Sequence, residues 1–259
     1  MSDEIIGLHD WFQTPPGRYM LAWERAQLDS AVVDAFGFHA LQLGLPELNA
    51  LAVNRMPHRW LATQAPAQGA NFVSDFSALP FPESSLDLVV LPHSLELAPD
   101  PHATLREVER VLVPEGRVVI CGLNPLSLWG LRQRRAHLYH RLGLGHMFLP
   151  KAGDFIGYWR LRDWLRLLGF EVEVGRFGCH RPALSSEKWL KRFEWMDWAG
   201  DRWWPILGAV YFLVAVKRVR GVTPLSPGWK VPKLLVGAPV SIAGSVTLTR
   251  ARAPKYIDE

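Results

Sequence analysis

Apolar positions along the chain switch between two spacings. From Leu86 to Leu91 nearly every residue is apolar, broken only by Asp87. That is the pattern of a strand buried on both faces of a parallel sheet. From His102 to Leu112 the spacing becomes helical. Leu105, Val108, Val111 and Leu112 fall on one side, while Arg106, Glu107, Glu109 and Arg110 face water. Gly116 to Gly122 returns to strand. The alternation extends in both directions. A Pro15-Pro16-Gly17 turn precedes a helix over Arg18 to Phe36, and Phe38 to Leu43 is the first core strand. A weak strand lies near Trp60 to Ala62, and a short one runs from Asn71 to Ser74 and ends at Asp75. Beyond Gly122, a short helix is expected over Leu131 to Leu142 and another over Leu161 to Leu168, stopped by Gly169. Glu171 to Val174 starts a strand, Ser185 to Trp204 reads as helix, and Ile206 to Val216 reads as a closing strand rich in β-branched and aromatic residues. Strands alternating with helices predict a three-layer α/β architecture.

At 259 residues the chain can form one domain with a sizeable core and some elaborations. The expected division is a lead-in over 1–14, a main domain over 15–218 and a basic, proline-containing tail over 219–259. The tail is expected to be poorly ordered, with Leu234 to Val240 able to add a strand. The net charge of +4 suits an acidic ligand or an RNA surface, and equally an ordinary soluble surface. The longest apolar run, Ile206 to Val216, is too short for a membrane span, which takes about 20 residues. The acidic start MSDEIIGLHDWF lacks the features of a signal peptide, and Cys121 and Cys179 lie far apart. A cytoplasmic setting is the expectation.

Ligands of open α/β sheets sit beyond the carboxyl ends of the strands. There the chain offers Gly44-Leu45-Pro46-Glu47, Asp75-Phe76, Pro92-His93-Ser94 and Gly122-Leu123-Asn124-Pro125. A carboxylate such as Asp75 can accept from an exocyclic amine, or it can cap a turn. Phe76 can stack on a ring. His93 is placed either as a base or as a satisfied histidine at the rim. Arg132, Arg134 and Arg135 form a basic cluster that suits an anionic substrate group or RNA phosphate, or simply a solvated helix face. The tryptophans between Trp189 and Trp204 read as a lid, a partner surface or packing against the sheet. His137, His140 and His146 are not at a metal-binding spacing, and no metal site is expected.

The block NFVSDFSALPFPESSLDLVVLPHSLELAPDPHATLREVERVLVPEGRVVICGLNPLSLWG, Asn71 to Gly130, resembles the middle of a class I S-adenosylmethionine (SAM) dependent methyltransferase of the type 11 small-molecule kind. The resemblance implies a doubly wound, mostly parallel, seven-stranded Rossmann-like sheet, SAM as cofactor and a small-molecule methyl acceptor. It implies that Asp75 meets adenine beside Phe76, with Gly44 and Pro92 lining the cofactor. TPPGRYMLAWE resembles the family's lead-in helix, which implies Arg18 or Tyr19 near the methionine carboxylate. His93 is the candidate catalytic residue, although methyl transfer from SAM needs little acid–base help. Two strings depart from the family. QLGLPEL stands where the glycine-rich motif resembles ELGCGTG, so only Gly44 is kept and Gln42 replaces an acid. At the second strand the ribose carboxylate is missing, and Thr63-Gln64 is the nearest polar pair, with Gln64 able to bond a hydroxyl. Two alternatives stay open: a binding or scaffold protein with a degenerate cofactor site, and an RNA-directed methyltransferase.

Overall fold

The all-apolar run becomes the central strand because both its faces are covered. The computed structural model describes residues 11–141 and 155–218, the side chains of 136–141 excepted. The tail, with its expected strand over Leu234 to Val240, and the first ten residues of the lead-in lie outside the described residues. The strands are β1 (His39–Leu43), β2 (His58–Thr63), β3 (Phe72–Val73), β4 (Leu86–Pro92), β5 (Leu112–Leu123), β6 (Phe170–Gly178) and β7 (Val210–Lys217). They form one seven-stranded sheet in the order β3-β2-β1-β4-β5-β7-β6. Every pairing is parallel except those of β7, which runs against both β5 and β6. This is the doubly wound, Rossmann-like sheet expected of a class I methyltransferase.

Each face of the sheet carries its own core, as the period of two demands. Leu88, Val90, Val119 and Val214 point to one face, under helix α1 (Pro15–Val33) with its Met20, Leu28 and Val32. Leu91, Val89, Val118 and Leu213 point to the other. That face is covered by α3 (Pro101–Val111), through Leu105, Val108 and Val111, and by α5 (Tyr158–Leu167), through Leu161 and Leu165. The short helix α2 (Ser94–Leu97) sits between β4 and α3, and α4 (Leu128–Arg141) follows β5. Local signals set the helix starts. Thr14 caps α1 by accepting from the Gly17 amide, and Asp100 caps α3 by accepting from the His102 and Ala103 amides. Asp87, the polar interruption in β4, accepts from the Phe38 and His39 amides at 2.8 and 2.9 Å and fixes the start of β1.

Pro15-Pro16-Gly17, expected as a turn, instead opens α1, because proline fits the first turn of a helix, and α1 ends at Val33. α4 starts three residues ahead of the expected Leu131. Three further boundaries differ for a tertiary reason. β5 begins at Leu112, which pairs with Leu86, and its register shifts between Leu86 and Leu88 before the expected Gly116 start. The helix expected over Ser185 to Trp204 is two, α6 (Glu187–Arg192) and α7 (Trp195–Trp203). Arg181 holds that break, reaching the Leu190 carbonyl and the Glu194 and Asp197 carboxylates. The closing strand starts at Val210, because Pro205–Leu207 forms a 3₁₀ turn. The Asn124 amide donates to the Ile206 and Gly208 carbonyls on either side, at 2.7 and 2.9 Å, and bends the chain there.

The antiparallel turn of β7 has a geometric consequence. The linker 179–209 leaves at the carboxyl end of β6 and returns at the amino end of β7. Both points lie at the edge of the sheet where β1, β4 and β5 also end.

Candidate functional site

At that carboxyl edge the turns after β1, β2 and β4 enclose a crevice of about 230 Å³. Gly44 to Glu47 form one wall, Thr63 to Ala67 a second, and Phe76, Pro92, Ser94 and Leu97 the rest. Gly44 has φ +74°, and a Cβ there would stand 3.2 Å from the Ser94 hydroxyl and 3.7 Å from the Phe76 ring. Only glycine keeps the backbone this close to the crevice. The Gly44 amide donates to the Ala62 carbonyl, and the Ser94 hydroxyl donates to the Leu43 carbonyl, so β1, β2 and the β4 corner are tied together at the floor.

The loop after β1 is held from within by Gln42. This side chain is fully buried. Its amide nitrogen lies 3.0, 2.9 and 2.7 Å from the carbonyls of Gly44, Leu45 and Leu48, and its oxygen accepts from the Ala50 amide at 2.9 Å. A carboxylate could not donate to those carbonyls. The glutamine in QLGLPEL is therefore matched to the loop it holds, and its hydrogen-bonding groups are used there. Leu45 follows in the left-handed region, at φ +48°.

The corner after β4 is held by His93, another left-handed residue, at φ +54°. Its imidazole is buried, with Nε2 2.7 Å from Glu24 Oε1 and Nδ1 3.0 Å from Glu96 Oε2. Glu96 Oε1 also accepts from the Leu123 amide, which joins this cluster to the end of β5. Burial alone would lower the affinity of His93 for its proton. The two carboxylates outweigh that, Glu24 most strongly, and push its pKa up to about 10. An imidazolium between two carboxylates has both N–H groups occupied, so neither ring nitrogen faces the crevice as an open base. Glu24 itself sits in the apolar row Met20, Glu24, Leu28, Val32 of α1, and its Oε2 has no hydrogen-bond partner.

The expected site residues thus separate into two groups. Gly44, Gln64, Phe76 and Pro92 meet in the crevice lining. Gln64 is half-buried there, and its amide makes no hydrogen bond to the described residues. Asp75, Arg18, Tyr19 and His93 stand outside the lining. Asp75 is exposed, and its Oδ1 accepts from the Ser77 amide at 2.9 Å, which holds its carboxyl below the usual range. Arg18 is exposed on α1. The Tyr19 hydroxyl donates to Asp197, and its ring lies under the Arg181 guanidinium at 4.4 Å, so it fastens α1 to α7. Burial, first of all, pushes the Tyr19 hydroxyl far above its ordinary pKa. The sequence reading missed Glu24, whose signal was a lone charge in an apolar i, i+4 row. It noticed Gln42 only as a departure.

A doubly wound sheet with β7 reversed, and a crevice over β1 and β4 entered by a left-handed glycine, defines a class I, Rossmann-like methyltransferase domain. The comparisons agree. The methyltransferase-domain family matches residues 37–120. An uncharacterized protein of Escherichia coli (strain K12), YafS, is 36% identical over 224 residues, covering 85% of each chain. Among solved structures, the methyltransferase in complex with the Haloferax volcanii Trm112 activator has a TM-score of 0.54 at 16% identity, covering 80% of this chain and 94% of that one. A SAM-dependent methyltransferase of Thermotoga maritima also has a TM-score of 0.54, at 15% identity, covering 81% of this chain and 94% of its own. The chain belongs to the methyltransferase-domain family and has its class I fold. No described helix is long and apolar enough to cross a membrane.

Proposed function

We propose that the protein transfers the methyl group of SAM to a small-molecule acceptor, with the cofactor's nucleoside in the crevice beyond β1, β2 and β4. The observation that carries this is the unpartnered Gln64 amide in the same largely apolar cleft as the left-handed Gly44. The residues present fit a nucleoside. Gln64 can bond a ribose hydroxyl, Phe76 and Leu45 offer apolar surface to a purine, and Gly44 lets the backbone come close. Asp75, beside Phe76 at the rim and already accepting from the Ser77 amide, would also accept from the exocyclic amine. When bound, SAM supplies a methyl group already activated by a cationic sulfur. The protein's own task is then position and exclusion of water. Pro92 and Ser94 fix the wall nearest β4, and Gln42 keeps the loop carbonyls turned inward and away from the cleft. His93 acts as a positioning residue, holding the β4 corner through Glu24 and Glu96.

Titration calorimetry with S-adenosylhomocysteine tests this reading. Saturable heat is expected. Asp75→Ala is expected to weaken binding by roughly 1.5–3 kcal/mol, with the melting temperature little changed. No heat on folded protein would leave the second reading, a binding scaffold with a degenerate cofactor site. Leu45 and Pro46 in the crevice wall favour that alternative, because they stand where the family keeps small residues.

A further inference from the structure

The carboxyl edge carries more than the crevice. Exposed leucines Leu126, Leu128 and Leu131 open α4 immediately after β5. Trp189, Trp195, Trp198 and Trp203 project from α6 and α7, the last two 73% and 71% exposed. Ile206 and Leu207 follow in the 3₁₀ turn, which the Asn124 amide ties to the β5–α4 corner. Trp159, at the amino end of α5, belongs to the same edge, because α5 leads into the start of β6. Apolar side chains left in water on one edge mark an interaction surface.

The charge of this edge selects the partner. From Asn124 to Arg135 the chain has no aspartate or glutamate, yet it holds Arg132, Arg134 and Arg135. Arg134 and Arg135 are exposed and make no ion pair with the described residues. Lys188 and Arg202 are likewise unpaired, and Arg192 lies over the Trp189 ring at 5.9 Å. Each acid of the linker lies beside a basic group, Asp201 being 3.5 Å from His180 Nδ1. Glu187 pairs with Lys191 at 3.0 Å, and Arg181 holds both Glu194 and Asp197. The cations left unpaired on α4 and the linker thus outnumber the acids there. Leucine and tryptophan beside unpaired arginine and lysine is the composition that settles at the boundary between lipid headgroups and acyl chains. Nucleic acid has little use for exposed leucines. At the opposite edge the exposed Phe36 and Phe38 stand instead beside Asp34 and Asp87.

We propose that the carboxyl edge, formed by the β5–α4 corner and the α6–α7 linker, docks on an anionic lipid bilayer surface. The tryptophans and leucines enter the interface, and the arginines and lysines meet lipid phosphate. Docked in this way, the crevice opens toward the membrane. The proposal does not depend on methyl transfer, because lipid binding and cofactor binding are read separately.

The test is flotation of the full-length protein with vesicles of two parts phosphatidylcholine to one part phosphatidylglycerol. Phosphatidylcholine alone serves as the control. Binding to the anionic vesicles that weakens with salt is expected. Arg134→Glu/Arg135→Glu should lower the partition coefficient at least about tenfold. Trp198→Ser/Trp203→Ser should lower it about tenfold and remove most of the fluorescence quenching by lipids brominated on the acyl chain. Both variants should keep the circular dichroism of the parent. Absence of flotation by folded protein overturns the proposal. So does equal flotation of both variants, or salt-steep binding to an RNA oligonucleotide with none to vesicles.

Discussion

The corners after β1 and β4 and the linker between β6 and β7 meet at one edge of the sheet, yet they solve opposite problems. In the corners, polar side chains are buried. Gln42 holds the first loop by its amide, and His93 holds the second between Glu24 and Glu96. In the linker, apolar side chains are exposed, tryptophans above all. A buried polar group specifies one backbone shape, because any other shape leaves it unsatisfied at a cost of about 1–3 kcal/mol. An exposed tryptophan specifies little about its own fold and much about what the surface can meet. The difference teaches that shape and encounter are encoded by different residues at the same edge, and that each can be changed without the other.

The largest expected effect comes from the β4 corner. His93→Ala leaves Glu24 and Glu96 buried without their shared cation, and unfolding in urea should show a loss of about 3–5 kcal/mol. The same group gives the wild type a pH signature. Folded His93 holds its proton to about pH 10, whereas the unfolded chain releases it near the ordinary value of 6.5. Its stabilisation is therefore fully present below pH 6.5 and is lost as the pH rises toward 10. Urea midpoints measured across that window should fall in the wild type, and this component of the slope should vanish in His93→Ala. A flat wild-type profile would remove the imidazolium from the account.

Next comes Gln42→Glu, which restores the acid that the family resemblance leads one to expect. It should destabilise, by about 2–4 kcal/mol, because the new side chain faces carbonyls it cannot satisfy. Equal or greater stability would mean that the loop rearranges and that Gln42 does not hold it. Gly44→Ala is smaller. A left-handed alanine costs about 1–2 kcal/mol, and its methyl group meets Ser94 and Phe76, so calorimetry should record weaker S-adenosylhomocysteine binding alongside the lower melting temperature. The smallest effect belongs to the linker. Trp198→Ala should change stability by no more than about 0.5 kcal/mol, which a urea curve can bound. A larger loss would show that Trp198 packs against the fold and would erase the contrast between the two regions.

Much of this was legible in the sequence. The run Leu86 to Leu91 has one reading as a doubly covered strand, because a period-two element with no polar face must be covered on both sides. The α3 stripe of Leu105, Val108 and Val111 is equally local. The strand-end strings placed Gly44, Gln64, Phe76 and Pro92 at one edge, because in a parallel sheet every strand delivers its carboxyl end to the same side. The helix break at Phe193–Glu194 and the delayed start of β7 were not legible. Both are imposed by side chains distant in sequence, Arg181 and Asn124.

By itself, then, the sequence determined the layered α/β architecture through its periodicity and the edge that carries the crevice through the carboxyl ends of parallel strands, while the doubly wound order was legible only through the family resemblance. Only the tertiary structure decided which polar residues face the cleft. Gln42 and His93 lie at strand ends as plainly as Gln64 does, but their partners come from Leu48 and Ala50 in one case and from Glu24, 69 residues away, in the other. Hydrogen-bond satisfaction is a property of three-dimensional neighbours, so whether a polar side chain is spent on the fold or left for a ligand is settled when those neighbours arrive.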